Sequence, residues 1–174
     1  MKIVTDEEEQ IVAELELLGI RYLSRQTAEA ATQVRPPDRL LADMVRQPSA
    51  RVRAAVIALL LAHPEYATAV PAALRRIGPA EQVILRMFYT AAVLLQQAYS
   101  HRLLPVLGSR WRALPDLFSG EIGLSPGGTP SERLTMLGRQ HRRKTGIGVN
   151  WTGTYDNVAQ RLLRSWDLEA AWKQ

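Results

Sequence analysis

Apolar residues recur along this chain at the spacing of amphipathic helices. Ile11, Val12, Leu15, Leu17 and Leu18 give one apolar face to a helix expected over 6–18. Thr5 followed by Glu8 fits a capping box, Ile3 or Val4 can staple against the first turns, and Gly19 is a natural stop. Leu40, Leu41, Met44 and Val45 predict a helix over 37–46 with Pro37 in its first turn. Ser49 suits the N-cap of the next helix, 50–62, which carries Val52, Ala55, Val56, Leu59 and Leu60 on one side. Residues 65–77 read as helical, with Pro71 as a kink or break and Gly78 as a stop. The longest predicted helix, 79–102, is apolar around most of its circumference, through Val83, Ile84, Met87, Phe88, Ala91, Leu94, Leu95 and Ala98. That marks it as the central, buried one. Thr129-Pro130-Ser131-Glu132 opens a helix ending near Arg143 or Lys144. A last helix, about 154–172, buries Val158, Leu162, Leu163, Trp166 and Leu168.

Three stretches depart from this rhythm. Residues 20–25 alternate apolar and polar and fit either a short strand without a partner or an extended connector. Residues 27–33 read as a short helix, ended by Arg35-Pro36-Pro37. Residues 105–130 mix Pro, Gly and Ser with Trp111, Leu114, Leu117, Phe118, Ile122 and Leu124. A long irregular segment of this kind inside a compact domain is unusual and often functional. The expectation is an all-α protein of six or seven helices in one domain, 1–174. An acidic helix (6–18) leads, a helical core (37–104) follows, and a basic glycine-rich segment with a C-terminal helix (130–172) closes the chain.

Composition narrows the function classes. With 174 residues, 47% hydrophobic and 22% charged, the chain is globular and long enough for a real core. It has no cysteine, which excludes disulfides, thiolate zinc sites and cysteine nucleophiles. His63, His101 and His141 are scattered, no carboxylate pair has a spacing suited to acid–base or metal chemistry, and no Gly-x-Ser-x-Gly elbow occurs. No catalytic residue, metal ligand or cofactor is therefore assigned, and the expectation leans away from an enzyme. The longest apolar run, 54–62, is far short of the ~20 residues of a membrane span. The N-terminus runs into Asp6-Glu7-Glu8-Glu9 rather than a cationic leader, so a soluble cytoplasmic protein is expected.

Charge singles out one region. The net charge of +5 is uneven: residues 1–34 hold three cations against seven acids, and the remainder 19 against 10. Of the 22 cations only Lys2, Lys144 and Lys173 are lysines, and the arginine fork suits phosphate. Residues 138–157, GRQHRRKTGIGVNWTGTYDN, gather Arg139, His141, Arg142, Arg143 and Lys144 ahead of Gly146, Gly148, Trp151, Gly153 and Tyr155. Cations there would contact phosphates, Trp151 or Tyr155 would stack on a base, and Thr152, Thr154 and the amides near Gly153 would form an anion-facing helix start. The neighbouring cations should lower the pKa of His141. Gly146-x-Gly148 is neither a Walker loop nor, without a preceding strand, a dinucleotide fingerprint. The same residues also fit a plain helix C-terminus and glycine turn, with Trp151 as a core anchor. DNA or RNA held through its phosphates is the first partner expected.

A second feature is Gln47-Pro48-Ser49-Ala50-Arg51-Val52-Arg53-Ala54-Ala55-Val56. It resembles the opening of the second helix of a HEAT-like repeat, with 37–46 as the outer helix and 37–63 as about one unit. The resemblance implies stacked helix pairs presenting a concave surface to proteins or nucleic acid. A protein–protein adaptor is thus the alternative expectation. Residues 64–102 would make a second pair but lack the Val-Arg-x-Ala element.

Overall fold

The computed structural model describes residues 6–24 and 30–174, and among these it holds nine α-helices and no strand. They are α1 (Asp6–Leu17), α2 (Pro37–Arg46), α3 (Ala50–Ala62), α4 (Val70–Arg75), α5 (Pro79–Ala98), α6 (Ser100–Leu107), α7 (Ser119–Ile122), α8 (Pro130–Thr145) and α9 (Trp151–Trp172). The expected Thr5–Glu8 box, the Ile3/Val4 staple and part of the 27–33 helix lie outside the described residues.

Several boundaries follow from local chemistry. Ser49 Oγ accepts from the Val52 amide at 3.4 Å, and Arg53 donates to the Gln47 and Pro48 carbonyls at 2.7 Å each, which fixes the turn between α2 and α3. Thr129 and Glu132 form a reciprocal capping box at the start of α8.

Other expectations are corrected. Of the two readings of residues 20–25, the strand does not form over 20–24: Gly19 takes φ +84°, the Ile20 amide bonds back to the Leu15 carbonyl at 2.9 Å, and the Ser24 amide closes a turn on the Arg21 carbonyl at 3.1 Å. Residues 30–33 are not helical. Over 65–77, a 3₁₀ turn (Pro64–Ala69) precedes α4, and Pro71 sits in the first turn of α4, where its missing N–H costs nothing. The long helix stops at Ala98: Tyr99 leaves helical geometry (φ −108°, ψ 16°) and its hydroxyl donates to Asp156 on α9 at 2.5 Å. Apolar spacing resumes in α6 with Leu103 and Leu107, so periodicity alone reads straight across the break. Leu168, expected inside, is 54% exposed.

One continuous core joins residues from α1 through α9. Its centre is shared by α3, buried from Ala54 to Ala62, and the C-terminal half of α5, whereas the first turns of α5 are only partly covered. Arg35 reaches into this core, donating to Glu14 of α1 at 2.9 Å and to Asp43 of α2 at 2.7 Å. The 111–118 stretch is pinned down by Tyr89, whose hydroxyl donates to the Pro115 carbonyl, and by Gln96, which bonds Arg112 and Leu114. Leu114, Phe118, Ile122 and Leu124 are buried beneath it. Among the described residues no single helix is long and apolar enough to cross a membrane.

Candidate nucleic-acid interface

The basic segment forms the corner where α8 ends and α9 begins. Gly146 closes α8 in the left-handed region (φ +71°), its amide bonding the Arg142 carbonyl at 2.8 Å. Asn150 then caps α9, its side-chain oxygen accepting from the Gly153 amide at 3.0 Å. The helix therefore starts at Trp151, three residues before the expected position. The Gly153 amide is engaged by that cap, and the Thr154 hydroxyl donates to the Asn150 carbonyl at 3.0 Å. Of the expected anion-facing start, the Gly153 amide and the Thr154 hydroxyl are thus engaged within the first turn of the helix, and the Thr152 hydroxyl donates to the Leu134 carbonyl of α8 at 3.5 Å. Asn150 ahead of a periodic run was the sequence signal for it.

Two sets of residues separate at this corner. The inner set is aromatic. His141 is buried, its ring stacked on Trp151 with centroids 3.5 Å apart and planes 8° from parallel. Its Nδ1 lies 2.5 Å from the buried Tyr155 hydroxyl, and Phe88 of α5 meets all three rings edge-on. Trp151 is half-buried and its indole N–H reaches the Ile147 carbonyl. Tyr155 is fully buried, so its ring is not open to a base. Sequence reasoning missed Phe88, because nothing local joins it to the segment.

Burial drives His141 down to about pKa 4; the neighbouring cations, the cause expected from the sequence, are not what lowers it. Burial also pushes the Tyr155 phenol up. A histidine kept neutral in the folded state is protonated first in the unfolded chain. Its contribution is therefore intact above its ordinary value of about 6.5 and is lost as pH falls toward 4. Stability should drop by about 1.5 kcal/mol from this group between pH 6.5 and 5. Chemical denaturation of the parent and of His141→Leu across that range checks it: the variant should show a shallower pH dependence.

The outer set is cationic. Arg139, Arg142, Arg143 and Lys144 are exposed on the last turns of α8, and Gly146 and Gly148 are exposed in the connector. From Arg133 to Tyr155 the sequence has no carboxylate. None of the four cations makes an ion pair among the described residues, whereas Arg76 pairs with Asp38, Arg86 with Glu121 and Arg102 with Asp167. Ile147 and Val149 stand 49% and 45% exposed beside them. The arginines at 76 and 86 thus have a carboxylate partner in place.

Gly138 sets how closely α8 lies on α9. A Cβ there would sit 2.6 Å from Thr152 Oγ1 and 3.2 Å from its amide nitrogen. Gly138→Val should destabilise the protein by about 2 kcal/mol through overpacking, read as a lowered denaturation midpoint with unchanged m-value.

Among the described residues no three histidines or carboxylates gather where they could hold a metal. No family model, curated protein or solved structure matches this chain. The arrangement defines an all-α protein with four exposed cations, unpaired among the described residues, at a helix–helix corner stiffened from within by aromatic stacking.

Proposed function

We propose that this protein binds nucleic acid through the phosphate backbone, at the corner formed by the end of α8 and the start of α9. One observation carries the reading: Arg139, Arg142, Arg143 and Lys144 lie together, exposed, with no carboxylate partner among the described residues. Cations left without an internal counter-charge carry only solvent and mobile ions, which a polyanion displaces with a gain in entropy. The stacked His141–Trp151 pair acts beneath them as a rigid support. Such contact is largely indifferent to sequence, because phosphates carry no base identity.

Fluorescence polarisation with labelled mixed-sequence single-stranded DNA, duplex DNA and RNA tests this. Binding is expected at 50 mM salt and should weaken steeply by 200 mM, with log K falling by about 0.7–0.9 per phosphate contact for each decade of salt. If none of the three binds at 50 mM salt, or if affinity is insensitive to salt, the reading is wrong.

A further inference from the structure

We propose that a cleft between α3 and α9, closed at one side by Tyr22, binds a tetrahedral oxyanion, namely the phosphoryl group of phosphate or a phosphate monoester. The cleft has a volume of ≈ 200 Å³ and is distinct from the exposed cations of α8. Its polar lining is Tyr22, Arg51, Thr154, Asn157 and Arg161. Thr154 and Asn157 belong also to the segment singled out by charge, and the two arginines and Tyr22 do not.

Four features point to an anion. First, no carboxylate lines the cleft, while two guanidiniums do. Second, neither Arg51 nor Arg161 makes an ion pair among the described residues, although many of the protein's arginines do. Both guanidiniums line the cleft together with the Tyr22 phenol, and both oppose the upward push that burial gives its pKa. Third, the Tyr22 hydroxyl is sealed from bulk solvent and has no hydrogen-bond partner among the described residues. A buried hydroxyl left unpaired is costly, and such exceptions call for a physical reason. A ligand oxygen seated deep in the cleft, against Tyr22, would accept from it. Fourth, Ala50 and Arg51 lie in the first turn of α3, whose positive dipole end adds to the field.

Size decides the ligand class. Pockets for drug-sized ligands run from about 300 to 1,000 Å³, so this cleft takes one phosphoryl group rather than an entire nucleotide. Ala54 and Val158 form an apolar floor that holds water back and strengthens the charged contacts. The two arginines of the first turn of α3 divide their roles: Arg53 braces the preceding turn, and Arg51 lines the cleft.

Isothermal titration at pH 7 and low ionic strength, with sodium phosphate and with adenosine monophosphate, tests the proposal; sodium chloride at matched ionic strength is the control. The parent should bind both phosphate compounds above the chloride background. Equal affinities identify a site for the phosphoryl group alone, and tighter binding of the monophosphate identifies one that takes an esterified phosphate. Arg161→Gln and Tyr22→Phe should each weaken binding by about ten-fold. Tyr22→Phe should melt no lower than the parent without ligand, since it removes an unpaired hydroxyl, so its loss of binding is not a loss of fold. The triple substitution of Arg142, Arg143 and Lys144 by Ala should keep phosphate binding, so this site and the nucleic-acid surface fail separately. A parent that binds neither compound above chloride, or a Tyr22→Phe variant that binds as tightly as the parent, overturns the proposal.

Discussion

Replacing Arg142, Arg143 and Lys144 together by Ala is expected to remove most nucleic-acid affinity while leaving the fold in place. The three side chains are exposed and no hydrogen bond or ion pair within the described residues depends on them. The bond that closes α8 uses the Arg142 carbonyl, which Ala retains, and Ala is a good helix former. On the binding side, three lost phosphate contacts correspond to a salt slope smaller by about 2.7 on duplex DNA. Such a slope corresponds to a roughly forty-fold affinity change between 50 and 200 mM salt. The signature is therefore double: weaker binding at low salt, and a flatter plot of log K against log salt. The variant's circular dichroism and melting curve should match the parent's. A triple variant that binds with parental affinity and slope would move the interface elsewhere on the protein. Capture of a stable protein partner by a chain that shifts no nucleic acid would favour the adaptor expectation.

Arg35→Ala should be among the most damaging single substitutions to stability. The Arg35 side chain is only 12% exposed, and it holds Glu14 and Asp43, each 10% exposed, at 2.9 and 2.7 Å. Its Nε and its backbone amide also reach Glu14. Asp43 keeps Arg46 at 3.2 Å and Arg39 at 3.6 Å, but Glu14 is left as a carboxylate in the core without its cation. Removing one member of a buried pair costs about 3 kcal/mol, because the remaining charge stays desolvated. For a chain of this size that is a fall of roughly 6–12 °C in melting temperature. Adding Glu14→Gln to Arg35→Ala should recover part of the loss, since no bare charge then remains. If Arg35→Ala melts within a degree or so of the parent, the pair is too hydrated to matter.

The helices were legible in the sequence wherever a single element contained its own instructions. Ser49, the Thr129–Glu132 box and Gly146 act on amides and carbonyls a few residues away, so their effect travels with the local sequence. The apolar faces of α2, α3 and α8 likewise need no knowledge of the partner that covers them. The concentration of cations after Gly138 was equally visible, because charge is a property of composition. Tertiary structure decided the rest, because the deciding contacts join positions remote in the chain. Tyr99 breaks the long helix while bound to Asp156, and Arg35 is drawn inward by Glu14 and Asp43. Phe88 packs against His141, Trp151 and Tyr155, and of these His141 and Tyr155 are buried. Which arginines remain uncompensated depends on where each carboxylate arrives after folding, as Asp38 does at Arg76 and Glu121 at Arg86. Periodicity and composition thus determined an all-α chain with a basic corner. Long-range packing alone settled which of its cations face solvent without a counter-charge, since Coulomb attraction acts through space and not along the sequence.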